Sequence, residues 1–239
     1  TYTVYDEGRR TIHKQDDDKG FEISPSDTVI FVRGTPEKDS YLDLISELQR
    51  AGYCVINSRD VTEIASDKYR SYLRLKDFGL TQPNTVLIPN KETIEKSFEE
   101  LDTKFPIVLK TLRGSKGVGV LFVESERALT SLVQLLFKQD KDTDILVQEY
   151  IKTEFDVRVL VLGGKVIATM RRDVVEGDFR SNASQGAKVR QYNLTPLEME
   201  QCILAAKAVG GLFTGVDFIP SKNPKTEPPY ILEVNSSPG

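Results

Sequence analysis

Histidine is almost missing: the chain has one, His13, in a polar N-terminal stretch. Ser/His/Asp catalysis and histidine-bound zinc therefore have almost no material to work with. Cysteine is nearly as scarce. Cys54 and Cys202 lie far apart with no neighbouring Cys or His, which argues against a thiolate metal site or redox pair and fits a reducing compartment. No uncharged apolar run approaches the roughly 20 residues that a membrane span needs, and Thr1 to Lys14 is polar and charged, unlike a signal segment. A broad positive excess is lacking too. The formal net charge of −4 disfavours genome-scale nucleic-acid binding and leaves local clusters such as Arg171-Arg172 for single phosphates. The expectation is a cytoplasmic protein with neither membrane nor nucleic acid as partner, whose chemistry must use Lys, Arg, carboxylates and a bound metal.

What is present is ordinary globular composition: 239 residues, 39% hydrophobic and 28% charged, enough to bury one or two cores. The chain begins without Met and stops at Pro238-Gly239 straight after an apparent strand, so a fragment or trimmed chain is expected. Residues 1–27, with Asp16-Asp17-Asp18 and the turn-forming Ser24-Pro25-Ser26-Asp27, read as a frayed strand or tail. Strand-like Thr28–Val32, helically spaced Ser40–Ala51 and strand-like Tyr53–Ile56 imply a small parallel α/β unit. A helix is expected from Ser66-Asp67, with Gly79 closing it. Strands at Thr85–Ile88, Ile107–Thr111, Val118–Val123 and Ile145–Tyr150, with helices near Lys91–Leu101 and Glu126–Phe137, make a second lobe. Phe155–Leu162 and Lys165–Arg172 flank Gly163-Gly164, a two-residue hairpin turn. A Pro196-led helix over Leu197–Val209 and strands Thr214–Ile219 and Tyr230–Asn235 complete a largely antiparallel last third.

Four constellations carry chemistry-bearing residues. In Val108 to Phe122, Lys110 ends a strand before a loop with Gly114, Ser115, Gly117 and Gly119, whose backbone N–H groups can approach phosphate oxygens. It is equally a glycine-rich hairpin with a surface lysine, and its context fits neither a P-loop nor a Rossmann turn. Gln148, Glu149, Tyr150 and Ile151 end an apolar strand where backbone groups could meet an adenine edge, and Asp156 and Arg158 share one face of the next strand. Taken alone, that segment is better explained by a partly exposed, salt-bridged strand. Glu233 and Asn235 share a strand face that Asp217 could reach from a neighbouring strand, so three oxygen ligands would converge on a Mg²⁺ completed by substrate phosphates. Two carboxylates this deep in apolar runs would be costly without a cation. Finally, Met170 to Asn182 holds Arg172 and Arg180, able to neutralise a transferring phosphoryl group, or simply to decorate a solvated basic hairpin.

Lys110, Gly114 to Gly119, Gln148-Glu149-Tyr150-Ile151, Asp156-x-Arg158, Glu176-Gly-Asp-Phe-Arg-Ser-Asn182, Gly215-Val-Asp217 and Glu233-Val-Asn-x-Ser-Pro-Gly239 stand in the order seen in RimK-like ATP-grasp ligases, the α-L-glutamate ligase family. The sequence resembles that family over about residues 66–239. The resemblance implies an α/β (α+β) ATP-grasp fold whose two lobes grip ATP, with a small pre-ATP-grasp unit at 1–65, a small lobe with linker helix at 66–152 and a large lobe, cut short at its end, at 153–239. It further implies Lys110 and a second lysine, Lys68, on the phosphates, Gln148 to Ile151 at the adenine, and Asp156 near the ribose. Arg180, Ser181 and Asn182 would join the nucleotide site, and Asp217, Glu233 and Asn235 would hold two Mg²⁺, with Mn²⁺ as a substitute. The implied reaction phosphorylates a carboxylate and lets an amine displace phosphate, with glutamate as the expected amino acid and a protein, peptide or small molecule as its partner; a homo-oligomer is compatible. The alternative on the same fold is a nucleotide-binding module that does not ligate, and a purely structural α/β domain is the third reading. The sequence departs from the family after Asn182, where Ala183 to Lys188 replaces an Arg-Gly-Gly-type loop.

Overall fold

The computed structural model describes residues 2–6, 9–13, 21–34, 36, 38–112, 119–174 and 188–238, and the structural statements below concern these residues. The chain is a mixed α/β protein built on four sheets. Strands β1 (Tyr2–Asp6), β2 (Arg9–His13) and β3 (Phe21–Ile23) pair antiparallel in chain order. This corrects the reading of residues 1–27 as a frayed strand or tail. Tyr2, Thr3, Val4 and Tyr5 on one strand and Thr11 and Ile12 on the other are strand-favouring residue types, and ladder pairing from Tyr2↔His13 to Asp6↔Arg9 satisfies backbone groups that the charged surroundings seemed to leave in water.

Strand β4 (Val29–Phe31), helix α1 (Asp39–Arg50) and β5 (Cys54–Ile56) form the expected parallel unit. Leu42, Ile45 and Leu48 recur at helical spacing and are the buried face of α1. Two helices then follow where one was expected. Ser58 accepts from Val61 N–H to start α2 (Arg59–Ser66), and Asp67, itself extended, accepts from the N–H groups of Tyr69 and Arg70 to start α3 (Lys68–Asp77). Beyond α3, the Leu80 amide returns to the Leu75 carbonyl at 3.1 Å across Gly79, whose φ of +71° suits glycine.

The second lobe contains β6 (Thr85–Ile88), a 3₁₀ turn at Lys91–Thr93, α4 (Ile94–Leu101), β7 (Ile107–Thr111), β8 (Val120–Val123), α5 (Glu126–Gln139) and β9 (Ile145–Glu149). Its strands are ordered β6-β9-β7-β8, all antiparallel. One face, with Ile88, Ile107, Leu109, Ile145 and Val147, packs on Leu101, Leu129 and Val133 of the two helices. The opposite face carries Thr85, Gln148, Val108 and Phe122 in one cross-strand row, with Lys110 two residues along from Val108.

The third lobe comprises β10 (Phe155–Leu162), β11 (Lys165–Asp173), β12 (Val189–Arg190), α6 (Pro196–Ala208), β13 (Phe213–Ile219) and β14 (Tyr230–Asn235), in the antiparallel order β12-β11-β10-β13-β14. Gly163 and Gly164 take the positive φ their turn requires, +56° and +75°. Thr195 and Glu198 form a capping box on α6, whose small residues Cys202, Ala205 and Ala206 let it lie close over Val157, Val159, Val216, Phe218 and Ile231. Leu75 and Leu80 belong to this same core, so α3 is fastened to the third lobe. Each large side chain fully buried there contributes about 1.5–3 kcal/mol.

The N-terminal unit is fixed to the third lobe by a buried amide. Asn57 Nδ2 donates to the carbonyls of Phe213 (2.6 Å) and Ser236 (2.7 Å), while its Oδ1 accepts from the amides of Leu212 (2.9 Å) and Phe213 (3.1 Å). Nearby, Arg33 Nη1 donates to the Pro238 carbonyl and the Gly34 amide donates to Ser237 Oγ, both at 2.8 Å. Among the described residues no helix is long and apolar enough to cross a membrane.

Candidate active site

Lysine, carboxylate and arginine side chains converge between the second and third lobes, and each is placed by strand register. Lys110, at the penultimate position of β7, donates from Nζ to Gln148 Oε1 at 2.6 Å, and Gln148 Nε2 donates to Thr85 Oγ1 at 2.8 Å. Lys68, the first residue of α3, donates to the Leu112 carbonyl at 3.3 Å, beside the start of the glycine-rich loop. Burial pushes the Lys110 ammonium down to about 8; Glu233 opposes this and Lys68 reinforces it. Burial likewise lowers Lys68, against the attraction of Glu233 and Asp67. The two lysines and Glu233 therefore share one electrostatic neighbourhood, although they come from β7, α3 and β14.

Gly119, the first described residue after 112, is bonded back to β7. Its φ is +81°, its carbonyl accepts from the Thr111 amide at 3.0 Å, and a Cβ there would stand 2.3 Å from Thr111 Oγ1.

The third-lobe wall is a ladder of alternating charge. Register sets Asp156 opposite Arg172, Arg158 opposite Asp217, and Asp217 opposite Glu233. Arg172 grips Asp156 through two bonds of 2.7 and 2.6 Å and reaches Asp217 at 3.0 Å. Arg158 grips Asp217 through two more, 2.7 and 2.6 Å, and lies 3.8 Å from Glu233. Such fork-to-carboxylate contacts fix direction as well as charge. Burial pushes the Asp217 carboxyl up, but Arg158 and Arg172 outweigh it and hold it below the ordinary carboxylate range. Burial works against the Arg172 cation too, and Asp217 with Asp156 raises it nonetheless.

This arrangement answers differently the question of what neutralises the deep carboxylates. Asp217, expected to need a metal cation, has both oxygens engaged by guanidinium groups. Glu233 is the accessible acid of the row: its side chain is 42% exposed against 4% for Asp217. Asn235 Nδ2 donates to Glu233 Oε1 at 3.1 Å, which leaves the Asn235 Oδ1 atom beside that carboxylate. Among the described residues no group of three His, Cys, Asp or Glu side chains forms a protein-only metal cage. That donor set, one open carboxylate and one amide oxygen, suits Mg²⁺, which keeps waters and takes phosphate oxygens for the rest of its shell.

The other expected positions fall as follows. Glu149 Oε2 accepts from the Asn84 amide at 3.2 Å and its own amide donates to the Asn84 carbonyl at 2.8 Å, so the end of β9 is bound to the entry of β6. Tyr150 and Phe122 meet edge to face at 5.0 Å between ring centroids, and Ile151 is half-buried. Asp156, expected at a ribose, is clasped by Arg172. Gly114, Ser115, Gly117, Arg180, Ser181 and Asn182 lie outside the described residues. Sequence reasoning passed over Thr85, Asn84 and Asn57, whose roles arise from partners 63, 65 and more than 150 positions away and leave no local signal.

The RimK-like ATP-grasp domain matches residues 65–239. A probable alpha-L-glutamate ligase of Coxiella burnetii is 34% identical over all of this chain and 76% of its own length. Its counterpart in Chromohalobacter salexigens is 35% identical over 92% of this chain and 72% of its own. Among solved structures, a RimK domain ATP-grasp protein from Sphaerobacter thermophilus superposes with a TM-score of 0.68 at 20% identity, covering 89% of this chain and 76% of that one. D-alanine–D-alanine ligase from Bacillus anthracis, in complex with ATP, does so with 0.66 at 21% identity, covering 82% and 63%. With the family model matched over most of the chain and relatives above 30% identity across 92% to 100% of it, this chain belongs to the RimK-like ATP-grasp family of C–N bond-forming ligases.

Proposed function

We propose that the protein is an ATP- and Mg²⁺-dependent ligase that joins an amino acid, with glutamate as the first candidate, to a carboxylate on a protein, peptide or small molecule. The observation that carries this reading is the pairing of two partly buried lysines, Lys68 and Lys110, with the one accessible carboxylate of the opposite ladder, Glu233. A polyphosphate lying between the lobes meets positive charge on one side and a cation-binding pair on the other. The proposed units are 1–65, 66–152 and 153–239.

In this mechanism a carboxylate oxygen of the acceptor attacks the γ-phosphorus of ATP and ADP leaves. The amine nitrogen then attacks the acyl carbon of the resulting acyl phosphate, and phosphate leaves as the nitrogen loses its proton. Lys110 and Lys68 hold the phosphates, and Gln148 to Ile151 with Phe122 line the base. Arg172, held by Asp156, presents fixed positive charge beside Asp217 without needing to reorganise during the reaction. Glu233 and Asn235 would hold Mg²⁺, with Asp217 behind them, and the metal would supply Lewis-acid neutralisation of phosphoryl oxygens. No side-chain nucleophile is required, in keeping with a chain that has one histidine.

The test is phosphate release from ATP, screened against the twenty amino acids with and without candidate acceptor peptides. Release that depends on one amino acid is expected. ATP binding with no amino-acid-dependent release under any pairing would favour the alternative, a nucleotide-binding module without ligase activity.

A further inference from the structure

Among the described residues, no carboxylate makes a salt bridge to Lys110; an uncharged chain of hydrogen bonds holds it instead. Lys110 Nζ donates to Gln148 Oε1 at 2.6 Å, Gln148 Nε2 donates to Thr85 Oγ1 at 2.8 Å, and Thr85 Oγ1 donates to the Pro83 carbonyl at 2.9 Å. The direction of this chain is forced from its charged end. An ammonium only donates, so Gln148 must turn its oxygen to the lysine and its NH₂ to Thr85. The threonine oxygen must then accept, and its single hydrogen goes to Pro83.

Three facts make the chain more than incidental contact. Thr85 and Gln148 are directly opposed in the β6–β9 ladder, so the contact is built into register. Gln148 is 7% exposed, so water has little room to replace a lost partner. An amide orients the ammonium while leaving its charge intact, whereas a carboxylate there would neutralise it and compete with an incoming anion. One of the three ammonium donors is thus spent on Gln148 and two remain.

We propose that Thr85 is a positioning residue for nucleotide binding: through Gln148 it fixes the Lys110 ammonium in the direction of the polyphosphate. The proposal rests on the reading of Lys110 as phosphate-facing. It predicts that what matters at position 85 is a hydroxyl group. Serine would preserve the chain, and valine, the same shape without a donor or acceptor, would break it.

The experiment measures the affinity of ATP, ADP and adenosine, with Mg²⁺ present, by titration calorimetry. The proteins compared are the wild type, Lys110→Met, Thr85→Val, Thr85→Ser and the double variant Thr85→Val/Lys110→Met. Lys110→Met should weaken ATP roughly tenfold or more, and Thr85→Val about three- to tenfold, the size expected for losing one oriented hydrogen bond. ATP and ADP should both be affected and adenosine should not. Thr85→Ser should restore wild-type affinity, and Thr85→Val should cost nothing further once Lys110 is Met. Equal losses for ATP and adenosine, no rescue by serine, or a full Thr85→Val loss in the Met background would overturn the proposal. Unchanged ATP affinity in Lys110→Met would sink the reading of Lys110 and the relay with it. A sensitive Lys110 beside an indifferent Thr85 would sink the relay alone. If Thr85→Val does not fold, Thr85→Ala removes the same hydroxyl with a smaller side chain and enters the same cycle.

Discussion

At the scale of a residue, Lys110 is buried and shares its neighbourhood with a second lysine, and both circumstances act on its proton. Burial takes it from the ordinary 10.5 down to about 8, with Glu233 opposing and Lys68 reinforcing. The folded-state value is below the unfolded one. The unliganded protein therefore bears the full cost of this charge below about pH 8 and is relieved of it as pH rises toward 10.5. Thermal unfolding across that window should show a stabilisation with rising pH that Lys110→Met lacks; an identical rise in the variant would assign it to other groups. A bound polyphosphate favours the ammonium again. ATP binding near pH 8 should then take up protons, visible as a calorimetric heat that changes with the ionisation enthalpy of the buffer. Binding heats that are the same in every buffer would argue against a phosphate-facing Lys110.

At the scale of the element, the β10–β11–β13–β14 wall separates residues that hold one another from residues open to a ligand. Arg172 clasps two carboxylates, and removing one member of such a buried set costs about 3–5 kcal/mol because the partners stay behind as uncompensated charge. Arg172→Ala should therefore unfold at distinctly lower temperature, and adding Asp156→Leu to it should recover part of the loss; a double variant no more stable than Arg172→Ala would count against the pairing. Glu233→Gln should behave in the opposite manner, keeping wild-type unfolding while Mg²⁺-dependent turnover falls by roughly a hundredfold or more. Wild-type turnover at limiting Mg²⁺ would remove Glu233 from the metal. These elements were the legible ones: the alternation in β10 and β14 gives the observed bounds, Phe155–Leu162 and Tyr230–Asn235, because a period of two and a Gly-Gly turn are local signals. Their partnerships were not legible. A lone Asp217 in an apolar run argues for some cation, but only the register that sets it opposite Arg158 says that the cation is an arginine. The start of α3 was legible too, because Asp67 ahead of the apolar stripe is a local capping signal and its side chain accepts from the Tyr69 and Arg70 amides, whereas α2 (Arg59–Ser66) was passed over.

At the scale of the whole molecule, Asn57 is the residue on which the attachment of the N-terminal unit depends. Its amide satisfies two carbonyls and two amides at the start of β13 and the end of β14, and it is 2% exposed. Asn57→Ala leaves those groups without partners, and a loss of about 2–4 kcal/mol is expected, several degrees in unfolding temperature for a chain of this size. Asn57→Asp, which keeps the acceptor but not the donors, should be nearly as damaging; a variant within a degree of wild type would show the seam to be held elsewhere. The same seam has a mechanical meaning. Asn57, Arg33 and Gly34 are bonded to the third lobe, and Leu75 and Leu80 are packed in its core, so the unit of β4, α1 and β5 and helix α3 are both attached to the lobe that carries Glu233. On the proposed function, a swing of the sheet that carries Lys110 away from that lobe would be borne by the connections at 82–84 and 150–154 and would break the Lys68–Leu112 bond. Whatever the N-terminal unit binds would then keep its place relative to Glu233, Asn235 and the arginine ladder while the Lys110 sheet alone changed position.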